Sequence, residues 1–356
     1  MPAPRPNLLL ITTDQQRADT IRALGHPHLR TPHLDWLVRS GVAFTRAYSD
    51  APICVAARAS LLCGLHHRHF PPGHGDFGRP TLAPGTPSLP GLLSAAGYQT
   101  RLVGKAHHHP PRAHFGWQHM ELLADFYRSR DHRPGRPRPG RTGLGQNELE
   151  PAPVSLDESE TLTHWIIERG IDFIETRDPT RPFCLHLSLS KPHPPLDPPL
   201  AYWQLYADTE LPPPLRGDWS ANADDVDPAW KQPTWLLNGA DELPPGLRRD
   251  AFRAYCALIT QLDYNLGLLF ARLRELRLLE NTLIVFTSDH GEMLGDHHLG
   301  AKTVPLEGSA RVPFLVRPPT PDGHRAPPGA GGTRQALVCL ADIVPTLLSA
   351  AGLDSP

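Results

Sequence analysis

Three stretches of this sequence share one layout: a predominantly apolar run that stops abruptly at polar, chemically capable residues. Residues 8–11 (LLLI) close on Thr12-Thr13-Asp14, with Gln15 next. Residues 183–189 close on Ser190-Lys191-Pro192-His193, and residues 283–287 on Ser288-Asp289-His290-Gly291-Glu292. A strand exposed on one face alternates apolar and polar residues, whereas one covered on both faces is apolar throughout. A fourth strand, residues 98–103, is less apolar but ends the same way, in Gly104-Lys105-Ala106-His107. Further strands are predicted at 42–48, 312–316 and 336–340.

Helical periodicity separates these strands. It predicts helices over 31–40 with Thr31 as cap, over 86–96 closed by Gly97, and over 156–176 and 342–351. The clearest covers 251–279, where Phe252, Tyr255, Ile259, Leu262, Leu266, Leu269 and Leu273 recur at helical spacing. Alternating strands and helices predict an α/β fold with a mostly parallel central sheet covered by helices on both faces. Such sheets bind ligands at the carboxyl ends of their strands, which is where the polar residues fall. Strand order cannot be read from this pattern. Residues 128–153, rich in Arg, Pro and Gly, read as a flexible loop. Residues 194–246, with Trp203, Trp219, Trp230 and Trp235, read as a substrate-shaping or packing cover.

Composition narrows the function. The net charge is −2, which argues against bulk nucleic-acid binding. The five cysteines are irregularly spaced with no CxxC, so neither a disulfide framework nor a zinc ribbon is predicted. No apolar run reaches membrane length, and the N-terminal one is too short for a signal peptide, so a cytoplasmic protein with no membrane partner is expected. The 356 residues read as one domain.

Residues 51–64, APICVAARASLLCG, read as a helix entered after Pro52 and ended at Gly64. Cys54 then lies at the helix N-terminus, where unpaired N–H groups favour negative charge, and Arg58 shares its face. A lone cysteine in an apolar run is also an ordinary small core residue. Asp14 and Asp289 each follow a buried strand. If those strands are neighbours, two carboxylates meet and need a cation. Gln15 and His290 beside them add oxygen and nitrogen donors, a set suited to calcium, magnesium or manganese better than zinc. Lys105, His107, His193 and Lys302, with Arg58, are enough to bind a tetrahedral anion and move its protons.

Together these segments resemble the type I, formylglycine-dependent sulfatases of the alkaline phosphatase superfamily. NLLLITTDQQRADT looks like their first metal strand and CVAARASLLCG like their Cys-x-Pro-x-Arg signature. GKAHH and SKPHPPLDPP look like their Gly-Lys-x-His and Pro-His-x-Pro elements, and NTLIVFTSDHGEMLGDHHLGAK like the second metal strand with its Lys loop. Gln15 after Asp14, and His290 after Asp289, are closest to choline sulfatases and phosphonate monoester hydrolases. The resemblance implies an alkaline-phosphatase-like fold. It implies oxidation of Cys54 to formylglycine by a formylglycine-generating enzyme, and a calcium ion (alternatively Mn2+ or Mg2+) held by Asp14, Gln15, Asp289, His290 and the modified Cys54. Arg58 and Lys105 would orient the formylglycine hydrate, His193 and Lys302 would grip the sulfate and protonate the leaving alcohol, and His107 would act as base for release. The implied substrate is a small-molecule or carbohydrate sulfate ester. The alternatives are a phosphonate monoester or phosphodiester, and a catalytically silent anion-binding homologue. The sequence departs from the family pattern at Ala56 and Ala57, where a Pro and usually a Ser stand, and at Leu299-Gly300-Ala301 before Lys302. A small C-terminal subdomain of the family is expected to be absent or truncated.

Overall fold

The computed structural model of the chain describes residues 5–70, 82, 85–130, 144–145, 147–230, 244–320 and 331–355. Its centre is a sheet of β1 (Asn7–Asp14), β2 (Val42–Tyr48), β3 (Gln99–Gly104), β4 (His119–Leu122), β5 (Phe183–Pro192), β6 (Thr282–Ser288), β7 (Phe314–Arg317) and β8 (Gly332–Cys339). Their spatial order is β4-β3-β5-β1-β6-β7-β2-β8. The paired strands run parallel except at β7, which is antiparallel to both β6 and β2.

The helices are α1 (Pro32–Ser40), α2 (Cys54–Cys63), α3 (Leu89–Ala95), α4 (Leu123–Arg130), α5 (Leu162–Thr176), α6 (Leu200–Gln204), α7 (Pro245–Glu275), α8 (Glu307–Ala310) and α9 (Ile343–Ala350). Alternation along β1 explains its unbroken apolar run. Leu9 and Ile11 enter the core beneath α1, α5 and α7, while Leu8 and Leu10 enter the opposite core beneath α2, α3 and α9. All four side chains are essentially fully buried, each contributing about 1.5–3 kcal/mol. The expected helix-covered, mostly parallel α/β sheet is therefore present. The cover on both faces reflects the same period-two geometry in β5 and β6.

Several local expectations are corrected. Thr31 does not cap α1. Its hydroxyl accepts from Arg22 N–H and donates to Asp35, and the N–H groups of His33 and Leu34 are taken instead by the buried carboxylate of Asp263 on α7. β4 is a short, partly exposed edge strand with no periodicity to announce it. α4 extends over residues 128–130, the start of the expected flexible loop. Residues 131–143 and 146 of that loop lie outside the described residues, as does Trp235. In the Trp-containing stretch, Trp203 packs against a buried cluster around Tyr206 and Tyr255, while Trp219 is exposed and stacks on His297. Among the described residues, no helix is long and apolar enough to cross a membrane.

Candidate active site

The strand order places four neighbours, β3, β5, β1 and β6, side by side. Their carboxyl ends carry Lys105, His193, Asp14 and Asp289. Thr13 of β1 pairs with Ser288 of β6, so the next residue of each strand is an aspartate at the same edge. On β5 the chain passes His193, whose N–H donates to Asp14 O at 3.1 Å. On β3, Gly104 adopts φ +114°, and a Cβ there would lie 2.0 Å from Ser188 O. Only glycine fits this close approach, which sets Lys105 against β5.

α2 delivers the remaining groups. It follows β2, begins at Cys54 with no side-chain cap, and ends at Gly64 in the left-handed region (φ +68°). Arg58, one turn on from Cys54, is buried and binds both carboxylates: Nη2 lies 2.9 Å from Asp14 Oδ2 and Nε 2.9 Å from Asp289 Oδ2. Its Nη1 donates to Lys105 O and to Ser188 Oγ, each at 2.7 Å. Lys105 Nζ lies 2.5 Å from Asp14 Oδ2. The Cys54 thiol lies beside the imidazoles of His107 and His290. Lys302, from the loop after β6, donates to Gln15 Oε1 at 2.5 Å and faces His193 Nε2 at 3.1 Å.

One set of ligand atoms is left short of protein partners. Ligand atoms of Asp14, Asp289 and His290 lie within 4.8 Å of one another, all buried. His290 Nδ1–H donates to Gly291 O at 2.9 Å, so Nε2 is the nitrogen with a lone pair. It sits 3.8 Å from Asp14 Oδ1 and 3.7 Å from Asp289 Oδ1. Asp14 Oδ1 and His290 Nε2 are buried without a hydrogen-bond partner. A buried lone pair facing two carboxylates requires either a proton or a metal cation between them. Two carboxylates and one imidazole fit a divalent cation of the calcium, magnesium or manganese type.

Protonation follows the charges. Burial would raise the Asp14 carboxyl, but Lys105, His193 and Arg58 hold it well below the usual carboxylate range. Asp289 goes the other way, pushed up by burial and by the charge of Asp14. His193 is pushed well down by burial and by Lys302 and Lys105, which keeps its imidazole neutral. Burial opposes ionisation of Cys54, yet the charge of Lys105 and the neighbouring imidazoles of His107 and His290 hold it well below an ordinary thiol. Burial lowers His290, but Asp289 beside it raises it overall.

Cys54, Lys105, His107, His193 and Lys302 line one cavity of about 560 Å3, with Leu122 and Leu123 on its wall. All ten residues singled out from the sequence thus converge on one edge of the sheet: Asp14, Gln15, Cys54, Arg58, Lys105, His107, His193, Asp289, His290 and Lys302. Two further residues, Ser188 and Glu292, support them and were missed by sequence reasoning. Ser188 holds Arg58 and the Lys105 carbonyl from within β5. Glu292 accepts from the Gln15 side-chain amide. The signal for Glu292 is present in the polar run after β6, but its partner lies 277 positions away.

The family profile described as Sulfatase matches residues 6–353. An arylsulfatase of Clostridium perfringens (strain 13 / Type A) is 34% identical, over 99% of this chain and 76% of its own length. A choline-sulfatase of Rhizobium meliloti (strain 1021) is 31% identical, over 98% of this chain and 68% of its own. Among solved structures, the phosphonate monoester hydrolase of Agrobacterium radiobacter superposes with a TM-score of 0.82 at 28% identity, covering 98% of this chain and 74% of that one. The chain belongs to the sulfatase family of the alkaline phosphatase superfamily, related to choline sulfatases and phosphonate monoester hydrolases.

Proposed function

We propose that the chain hydrolyses sulfate esters, with a nucleophile derived from Cys54 acting beside a divalent cation. The observation that carries this reading is the position of Cys54: beside His290 of the Asp14–Asp289–His290 cluster, lining a cavity that Lys105, His107, His193 and Lys302 share. Asp14, Gln15, Asp289 and His290 would hold the cation, calcium being the first choice. When bound, it supplies charge neutralisation at a sulfate oxygen and acidifies the attacking hydroxyl. Formylglycine at 54, installed by a formylglycine-generating enzyme, supplies as its hydrate one hydroxyl for attack and a second for release.

The residues divide the remaining work. Arg58 and Lys105 neutralise Asp14 and Asp289 and fix the start of α2 against the strand ends. Lys302 is the proton-bearing member of its pair with His193, because His193 Nδ1–H is committed to Pro194 O and Nε2 accepts. Those two groups are placed to bind the anion and to protonate the departing alcohol. His107, in contact with Cys54, is placed as the base for release.

A second reading, phosphonate monoester hydrolysis at the same site, is favoured by the likeness to the Agrobacterium enzyme and by Gln15 and His290 in the cation cluster. A steady-state comparison of an aryl sulfate with an aryl phosphonate monoester, on protein co-expressed with a formylglycine-generating enzyme, separates the two. A higher kcat/KM on the sulfate is expected. Turnover of the phosphonate alone would transfer the assignment, and turnover of neither would leave an anion binder.

A further inference from the structure

Gln15 sits in an unusual vice. Its backbone is held at φ +70°, in the left-handed region that few non-glycine residues adopt. Its N–H donates to Asp289 Oδ1 at 3.1 Å, and its carbonyl accepts from the buried hydroxyl of Tyr255 at 2.6 Å. The side-chain amide is then caught between two groups of opposite kind. On one side Lys302 Nζ, which can only donate, meets Oε1. On the other side Glu292, whose carboxylate accepts, takes Nε2. Gln15 and Glu292 are almost wholly buried, so no bulk water competes.

We propose that Glu292 is a positioning residue, which sets the orientation of the Gln15 amide so that Oε1 rather than Nε2 faces the cation site. The proposal rests on the reading of Gln15 as one of the groups that hold the cation. An amide turned the wrong way would present two N–H donors where an oxygen is needed. Lys302 favours the correct orientation too, but it belongs to the anion-binding groups, and its ammonium is free to turn toward substrate. Glu292 has no such second task. Its other oxygen, Oε1, accepts from Leu294 N–H at 3.0 Å. Both oxygens are therefore occupied as acceptors, a pair of duties that an amide in place of the carboxylate cannot perform.

That double duty gives the test. In Glu292→Gln, either Leu294 N–H or the Gln15 amide loses its acceptor. Calorimetric titration of the metal-free full chain with calcium should show affinity reduced about 10- to 100-fold, as for loss of a group that orients a metal ligand. A double variant that combines Glu292→Gln with Gln15→Glu exchanges the two side chains and keeps the charge count. The amide now at position 292 can then accept from Leu294 N–H while donating to the carboxylate now at position 15, whose second oxygen still faces Lys302. Calcium affinity should return to within about threefold of wild type. A merely structural role for Glu292 would lower the melting temperature of the metal-free protein without this reversal. Wild-type affinity in Glu292→Gln overturns the proposal, as does an exchange variant as weak as the single one. If the wild-type chain itself takes up no calcium, manganese or magnesium, the cation reading fails and the proposal falls with it. If Asp289→Asn abolishes binding while Glu292→Gln does not, the cation reading stands and the role of Glu292 alone is refuted.

Discussion

Lys302 Nζ and His193 Nε2 face each other at 3.1 Å on the wall of the cavity that Cys54 lines, an ammonium against a neutral imidazole. Lys302 comes from the loop after β6 and His193 from the end of β5, with β1 between them in the sheet. The loop around Lys302 departs from the family pattern, yet its ammonium reaches the same cavity as Cys54. A preorganised charge in a site of this kind acts where negative charge develops on the leaving oxygen.

Lys302→Ala should therefore lower kcat on a sulfate ester by about two to three orders of magnitude. Steady-state kinetics on folded variant protein checks this. Unchanged turnover would remove Lys302 from the reaction and leave it as a partner of Gln15 alone.

Gly104→Ala tests how the strand end positions Lys105. The new Cβ would lie 2.0 Å from Ser188 O, and the backbone would be held at φ +114°. The β3–β5 contact must open, at a cost on the order of 3 kcal/mol or more. A lowered melting temperature together with lost turnover is the expected outcome. A variant as stable and active as wild type would show that the close approach is dispensable.

Acid should weaken the fold through His186. This β5 imidazole is hydrogen-bonded to Thr12 and is pushed down to about 3 by burial and by Arg58 and His108. Its folded value lies below the unfolded one of about 6.5, so the unfolded chain binds the proton first. The stability it contributes is complete above that unfolded value and is lost as pH falls from there toward the folded one, at up to about 1.4 kcal/mol per pH unit. His186→Gln keeps a hydrogen-bonding group without the titration. Denaturant melts between these limits should show a shallower loss of stability than wild type, and an identical slope would assign the acid sensitivity elsewhere.

The residues legible in the sequence are those whose surroundings are set locally. Asp14 and Asp289 stand out because each ends a run apolar enough to be buried on both faces, and Cys54 because Pro52 and Gly64 bracket its helix. What the sequence leaves open depends on neighbours far along the chain. The adjacency of β1 and β6, which brings the two aspartates together, is a matter of strand order. Thr31 has the right side chain to cap α1, but Asp263 of α7 is the stronger acceptor and arrives only through tertiary packing. Glu292 is hidden for the same reason, since a glutamate after a strand reads as a surface group until its amide partner is in view. The short edge strand β4 offers neither a buried run nor a clean alternation.

Cys54 carries the central claim. A thiolate at this position would attack sulfur poorly and leave an adduct with no route of elimination, whereas a geminal diol has a second hydroxyl for release. The direct measurement is the initial rate on an aryl sulfate across preparations whose conversion at position 54 is quantified by mass spectrometry of the peptide containing it. The rate per mole of protein should rise in proportion to the formylglycine fraction and vanish in Cys54→Ala, which should remain folded. Full sulfatase activity in a preparation whose Cys54 is entirely unmodified thiol would contradict it.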